Sequence, residues 1–225
     1  MSTTLYDDLS VAPVCGVPEI RGYGLWGKRA FDLFIVLAMV PIALPIIGLA
    51  WLLTVLDGGS GFFIQKRVGR DGQIFRCWKV RTMVRDADDL LAKLISEDGA
   101  IAGEWQRSQK LDCDPRVTPL GHILRKTSID ELPQLWNVLT GEMSLIGPRP
   151  FTPDQKPLYD RLPTADAYYS LRPGISGLWQ VDCRNHAGFE ERARYDHAYA
   201  AGLSFWQDLR IIGRTIGAVC CATGK

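Results

Sequence analysis

Between Leu33 and Leu56 the chain reads LFIVLAMVPIALPIIGLAWLLTVL, 24 residues without a charge, a run longer than the ~20 residues a helix needs to cross a bilayer core. It predicts a membrane-embedded helix. The run begins too far from the N-terminus for a secretory signal, and no small-residue cleavage pattern precedes the folded region. Pro41 and Pro45 fall near its middle, each removing a backbone donor and crowding the carbonyl four residues earlier, so a sharp kink is expected there. Basic residues flank both ends, with Arg21, Lys28 and Arg29 before the run and Lys66, Arg67 and Arg70 after it. A single span gathers its basic residues on one side. The length alone is met by a plain transmembrane anchor; the two-sided charge and the prolines together favour a re-entrant helix-break-helix over 28–57, with both ends in the cytoplasm.

Beyond the run, the pattern changes period. FFIQKRVG and QIFRCWKVRT flank Arg70-Asp71-Gly72, two strands joined by a tight turn whose Asp-Gly pair supplies positive φ. From Arg85 to Gln109, Leu90, Leu91, Leu94 and Ile95 recur at helical spacing and predict an amphipathic helix with a connecting loop. Thr118-Pro119 opens another helix, a capping hydroxyl followed by proline at the first helical position, ending near Arg125. In SIDELPQLWNVL, either Ser128 caps with Glu131 as its capping-box partner or Asp130 is itself the cap. LRPGISGLWQV, Leu171 to Val181, reads as a Pro-Gly turn with a short apolar strand. From Ser204 onward, Phe205, Leu209, Ile212, Ile216 and Val219 form the stripe of an amphipathic helix that lies in the bilayer interface or packs on the core. The fold class is therefore α+β, mainly helical with a small β-hairpin, in three stretches: a tail over 1–27, the re-entrant segment over 28–57, and a cytosolic-face catalytic region over 58–225.

Composition narrows the chemistry. With 225 residues the chain suits one catalytic unit. Its 26 basic and 25 acidic residues nearly cancel, so nothing suggests a nucleic-acid partner. The six cysteines show no C-x-x-C spacing and read as free thiols in a reducing compartment, and three histidines leave little room for a His-based triad or metal site. Carboxylates are the better candidates. Asp130 and Glu131 lie between Arg125-Lys126 and the stiffened loop Gly147-Pro148-Arg149-Pro150. Anions meeting cations beside a helix start is how phosphate sites are built; helix capping is the competing reading. Lys79 and Arg81 fall on one face of an extended strand, roughly 6 to 7 Å apart, which suits two neighbouring phosphates or a solvated edge. Asp86-Ala87-Asp88 and Asp112-Cys113-Asp114 are short Asp-x-Asp strings of the kind that hold metal-nucleotide in some glycosyltransferases.

The strings KRAFD (Lys28 to Asp32), KVRTM (Lys79 to Met83), LRKTSIDELPQLWNVLTGEMSLIGPRP (Leu124 to Pro150) and LRPGISGLWQV resemble the bacterial sugar transferases that initiate surface glycans, the monotopic phosphoglycosyl transferases. The likeness covers nearly the whole chain, from about Lys28 to about Ile216. It implies a re-entrant membrane helix on the cytoplasmic face of the bacterial inner membrane, a Mg2+ ion, and two-step transfer of a hexose-1-phosphate from a UDP-sugar to polyprenyl phosphate with release of UMP. By the same resemblance Asp130 is the nucleophile, Glu131 binds the metal, and Pro148, Arg149 and Pro150 lie near the nucleotide. Lys79, Arg81, Arg125 and Arg184 complete the expected substrate-binding set, and a homodimer is compatible with it. The chain departs from the family at Val40-Pro41, where Ser-Pro is usual, and at Asp182-Cys183-Arg184, where many members have Asn-Gly-Arg.

Overall fold

A computed structural model describes residues 22–108, 111, 113–182 and 189–220. Helix α1, Gly27–Leu56, is 30 residues long, about 45 Å at the usual rise. Its buried residues are Lys28, Asp32, Val36, Ala43, Ala50 and Thr54, at steps of four and seven that trace one face. The other faces carry Phe34, Leu37, Ile42, Leu49 and Leu56, each more than half exposed. An apolar surface of this size calls for a membrane, and α1 is long and apolar enough to cross one. The protein is membrane-associated.

Within α1 the helix is unbroken through Pro41 and Pro45, so the helix-break-helix expected over 28–57 is one continuous helix here. The prolines leave the carbonyls of Leu37 and Pro41 without helical donors; being four residues apart, these gaps fall on one side of the helix. Both ends of α1 are tied to the rest of the fold. At the start, Lys28 Nζ lies 2.8 Å from Asp208 Oδ2, and Asp32 accepts from Ser144 Oγ at 2.7 Å and Leu145 N at 3.2 Å. At the end, Thr54 O accepts from Arg81 at 2.9 Å, and Ala50 packs with Val80 and Leu124.

The expected hairpin is present: β1 (Phe62–Val68) pairs antiparallel with β2 (Ile74–Val80), Val68 opposite Ile74. Asp71 and Gly72 both take positive φ, 57° and 73°, as the Asp-Gly reading requires. The segment after it is two helices, α2 (Ala87–Glu97) and α3 (Gly99–Ser108). Asp98 divides them because its Oδ1 takes the amide of Ala100 at 2.8 Å, capping the second helix. α4 (Pro119–Lys126) is capped as expected, Thr118 Oγ1 accepting from Gly121 N at 3.0 Å. An ideal Cβ on Gly121 would lie 2.1 Å from Thr82 O, so only glycine lets α4 approach the strand exit this closely.

The remaining body contains α5 (Gln134–Thr140), β3 (Ser144–Ile146), short α6 (Lys156–Tyr159), α7 (Ala165–Ser170), β4 (Gly174–Ser176), α8 (Leu178–Asp182), α9 (Phe189–Ala201) and α10 (Phe205–Cys220). β3 and β4 pair in parallel. Within LRPGISGLWQV the strand therefore ends at Ser176, and Leu178 onward is helical, with Leu178 only 2 % exposed in the main core. In α10 the core-facing residues are Asp208 and Ile211; Phe205, Leu209 and Ile216 of the predicted stripe point outward, with Trp206 beside them. Asp208 faces inward because Lys28, Tyr23 and Tyr199 all bond its carboxylate.

Candidate functional site

Asp130 and Glu131 belong to a 3-10 turn, Ile129–Glu131, entered through Ser128 in the left-handed region at φ 56°. Neither capping reading holds, since Ser128 makes no side-chain cap bond and α5 begins three residues later behind an uncapped Pro133. Neither the turn nor α5 is capped by the side chain of its N-cap residue. The setting of the acid pair is fixed by Asn137 of α5, fully buried, whose Oδ1 accepts from Trp78 N at 3.1 Å while Nδ2 donates to Arg76 O and Glu142 Oε2, both at 2.7 Å. Those bonds join the helix after the pair to the middle of β2.

Asp130 is only 7 % exposed. Burial pushes its carboxyl up to about 6; Lys79 draws it back, the Glu131 charge adds to the rise, and Arg125 and Arg149 oppose it. Glu131 Oε1 accepts from Lys79 Nζ at 2.7 Å and lies 3.5 Å from an Arg149 terminal nitrogen. The structure therefore brings Lys79, Arg125, Arg149, Asp130 and Glu131 together, as the sequence led us to expect.

The Pro-Arg-Pro loop is held from both sides. Pro148 O accepts from Gly174 N at 2.8 Å, and Pro150 O accepts from Arg67 at 3.1 Å. An ideal Cβ on Gly174 would lie 2.1 Å from Gly147 N, so the two segments meet backbone to backbone. Arg67 was not among the expected residues. It lines a narrow cleft with Cys77, Lys79, Glu131, Gln134, Arg149, Pro150, Gly174 and Ile175. The signal was in the hairpin register: Arg67 opposes Phe75 and Gln65 opposes Cys77, which puts Arg67 on the Lys79 face. Burial and the nearby Arg149 charge lower its guanidinium to about 10, still cationic at neutral pH. Burial pushes the Cys77 thiol up, so this cleft residue is not a ready thiolate.

Arg81 goes elsewhere. It leaves β2 one residue past its end and lines a second, larger cleft at the close of α1, donating to Thr54 O. Of the Asp-x-Asp strings, Asp86 and Asp88 are exposed at the start of α2, and Asp114 is held by Arg116 at 2.8 and 2.7 Å; Asp112 and the expected substrate residue Arg184 lie outside the described residues. Cys77 and Cys113 are free thiols. Among the described residues no three or more His, Cys, Asp or Glu gather into a metal cluster. A Mg2+ ion does not require one, because it is commonly held by one or two carboxylates with water and substrate phosphates. Asp130 and Glu131 fit that donor set.

The body thus combines a long apolar helix with a buried carboxylate under the influence of Lys79, Arg125 and Arg149. The profile of the family described as bacterial sugar transferase matches residues 23–222, and the chain belongs to that family. It is 42% identical over 192 residues to a UDP-galactose-lipid carrier transferase of Erwinia amylovora, covering 85% of this chain and 40% of the relative. It is 42% identical over 210 residues to the exopolysaccharide production protein ExoY of Sinorhizobium fredii, covering 92% of this chain and 91% of the relative. A UDP-glucose:undecaprenyl-phosphate glucose-1-phosphate transferase of Caulobacter vibrioides is 38% identical over 198 residues, 84% of this chain and 68% of its own. The chain thus spans well under half of the Erwinia relative and nearly all of ExoY.

Proposed function

We propose that this protein transfers a hexose-1-phosphate from a UDP-sugar to undecaprenyl phosphate, as the first membrane step of exopolysaccharide synthesis, on the cytoplasmic face of the bacterial inner membrane. The observation that carries the reading is the burial of Asp130 beside Glu131 with Lys79 and Arg149 on the latter's carboxylate. In the first step an Asp130 carboxylate oxygen attacks the sugar-side phosphorus of the diphosphate. The bond to the UMP oxygen breaks, and UMP leaves with its electron pair. In the second step a phosphate oxygen of the lipid attacks the same phosphorus, and the bond to Asp130 breaks to regenerate the carboxylate. Splitting one displacement in two in this way is the purpose of a covalent nucleophile.

Asp130 is ionised at neutral pH even with its raised value, so no base is needed to activate it. Lys79, Arg125 and Arg149 offset charge on the diphosphate, and Arg67 holds the loop that presents Arg149. Glu131 is the proposed Mg2+ ligand, together with substrate phosphates; the ion when bound neutralises phosphoryl oxygens and steadies the departing UMP. Lys79 then has to give up or share its bond to Glu131.

A monotopic, re-entrant α1 agrees with this function, since a lipid phosphate must reach Asp130 with its chain in the bilayer. Its support is the attachment of both helix ends to one body and the two donor gaps on one side of the helix. Incubation with UDP-sugar and Mg2+ without lipid should release UMP and leave a hexose-phosphate adduct on the Asp130 peptide. Asp130→Asn and Glu131→Gln should stay folded and lose turnover. Release of UDP in place of UMP, or an active Asp130→Asn enzyme, would overturn the mechanism.

A further inference from the structure

The larger of the two clefts described does not lie over the acid pair. It encloses about 560 Å³ and is lined by Asp57, Gly58, Arg81, Val84, Arg85, Pro115, Val117, Thr118 and Pro119. We propose that this cleft receives the lipid acceptor, gripping the phosphate of an isoprenyl phosphate between Arg81 and Arg85 while its first isoprene units lie on Val84, Val117 and the two prolines. The inference rests on the transferase reading above and names where its second substrate docks.

Position carries the argument first. The cleft opens where α1 ends: Leu56 is 74% exposed on the lipid-facing surface, and Asp57 and Gly58, the next two residues, already form the cleft wall. A phosphate attached to a chain buried in the bilayer surfaces at this level. Chemistry carries it next. Two guanidiniums over a wall of valine and proline suit an amphiphile with an anionic head, whereas the nucleotide's many polar groups are better matched by the Arg67, Lys79 and Arg149 cleft.

Both arginines retain donors. Arg81 makes one bond to Thr54 O, and its Nε is buried without a partner among the described residues. Arg85 Nε donates to Gly58 O over a long 3.3 Å. Gly59, at φ 120°, admits both side chains, since an ideal Cβ there would lie 2.2 Å from Arg81 and 2.8 Å from Arg85. A plain role for the two, holding the C-terminal carbonyls of α1, needs neither the open cleft nor its apolar wall. Asp57 is the one carboxylate among the cleft residues and works against an anion.

The cleft adjoins the reaction centre through one residue. Thr82, next to Arg81, takes Arg125 Nε on its hydroxyl at 2.9 Å, and the Arg125 charge acts on Asp130. The cleft and the acid pair are therefore linked through Arg125, and the lipid phosphate has to pass from Arg81 and Arg85 to Asp130 before it attacks.

Full-length protein in nanodiscs tests this. Arg85→Gln should raise KM for a short-chain polyprenyl phosphate about tenfold, the loss expected of one charged contact. KM for the UDP-sugar and the lipid-free UMP burst should be unchanged. Arg85→Lys should recover most of the loss, and Asp57→Asn should lower the lipid KM, a gain that a purely structural role for the arginines does not produce. An unchanged lipid KM in Arg85→Gln, or a loss confined to the burst, overturns the proposal. So does inhibition by phosphatidic acid as strong as that by the isoprenyl phosphate, because the cleft would then bind lipid phosphate heads in general. A photoreactive isoprenyl phosphate should label the peptides carrying Val84 and Val117, and the unphosphorylated alcohol should not. That labelling in a protein that releases no UMP from any UDP-sugar would sink the transferase reading and leave the cleft standing; absent labelling in an active enzyme would do the reverse.

Discussion

Asp196 illustrates how a single side chain reports on the body that holds the loop. It is 3 % exposed, accepts from Tyr159 Oη at 2.5 Å and lies 3.9 Å from Arg192 Nε. Arg192 in turn stacks over Phe151, the residue after the Pro-Arg-Pro loop. Burial raises the Asp196 carboxyl to about 6, against the pull of Arg192 and the Tyr159 bond. The folded protein thus holds this proton more tightly than the unfolded chain, whose value is 3.8. Its contribution to stability is complete below that lower value and is lost as pH rises through about 6. Asp196→Asn cannot ionise, so its melting temperature relative to wild type should climb between pH 4 and pH 7. A flat difference across that window would mean that Asp196 is ionised throughout. At this scale the sequence was legible where a residue's task is local: the Thr118 cap and the positive φ of Asp71 follow from neighbours in the chain. The charge of Asp196 and the inward turn of Asp208 depend on partners 37 and 180 residues away, Tyr159 and Lys28, and no local pattern announces them.

Between elements, what decides the site is how the hairpin, α5 and the 3-10 turn are joined. Asn137 makes that joint: the residue is fully buried and its amide makes three hydrogen bonds. Asn137→Leu keeps the volume and takes the partner from Trp78 N and Arg76 O, while the half-buried Glu142 carboxylate keeps Thr140 Oγ1 at 3.1 Å. Each orphaned buried group costs about 1–3 kcal/mol, so the variant should unfold several degrees lower and lose UMP release even though it touches no substrate. A variant with wild-type melting and activity would show that water replaces the amide. The helix reading of QLWNVL gave this asparagine no distinction, since a polar residue in an amphipathic helix is by default on the wet face. For α10 the sequence left two faces open. Its apolar stripe was taken as the packing side or the bilayer side, and the buried salt bridge of Asp208 with Lys28 settles the choice by turning the polar side inward. The pair Lys79 and Arg81 was separated for an equally simple reason: β2 ends at Val80, and strand alternation stops applying one residue before Arg81.

For the molecule as a whole, the orientation against the bilayer follows from which surfaces are apolar and what they are attached to. The outward faces of α1, with Trp26 before it and Phe205, Trp206, Leu209 and Ile216 on α10, are all exposed, and Tyr23, Phe31 and Phe205 pack edge to face where the two helices meet. The apolar surfaces of α1 and α10 are therefore continuous. Indole and phenyl rings at the rim of such a surface are favoured at the headgroup level. A single span would need the start and end of α1 on opposite sides of about 30 Å of hydrocarbon. Yet Lys28 and Asp32 at one end are bonded to α10 and β3, and Thr54 at the other is bonded to Arg81 beside β2. Pulling either end across the membrane would leave the Lys28 and Asp32 charges, or the Thr54 carbonyl and Arg81, without partners. A break of that buried ion pair alone costs about 3–5 kcal/mol. The test uses protein in which the six native cysteines are replaced and activity is retained. Trp26→Cys and Ser60→Cys, one on each side of α1 and both exposed, are then probed in turn with a membrane-impermeant maleimide. Both should react in inside-out vesicles and neither in intact spheroplasts, with denatured protein as the reactivity control. Reaction of Cys at 26 from outside and at 60 from inside would establish a single span, and the attachments at one end of α1 would then have to open in the membrane.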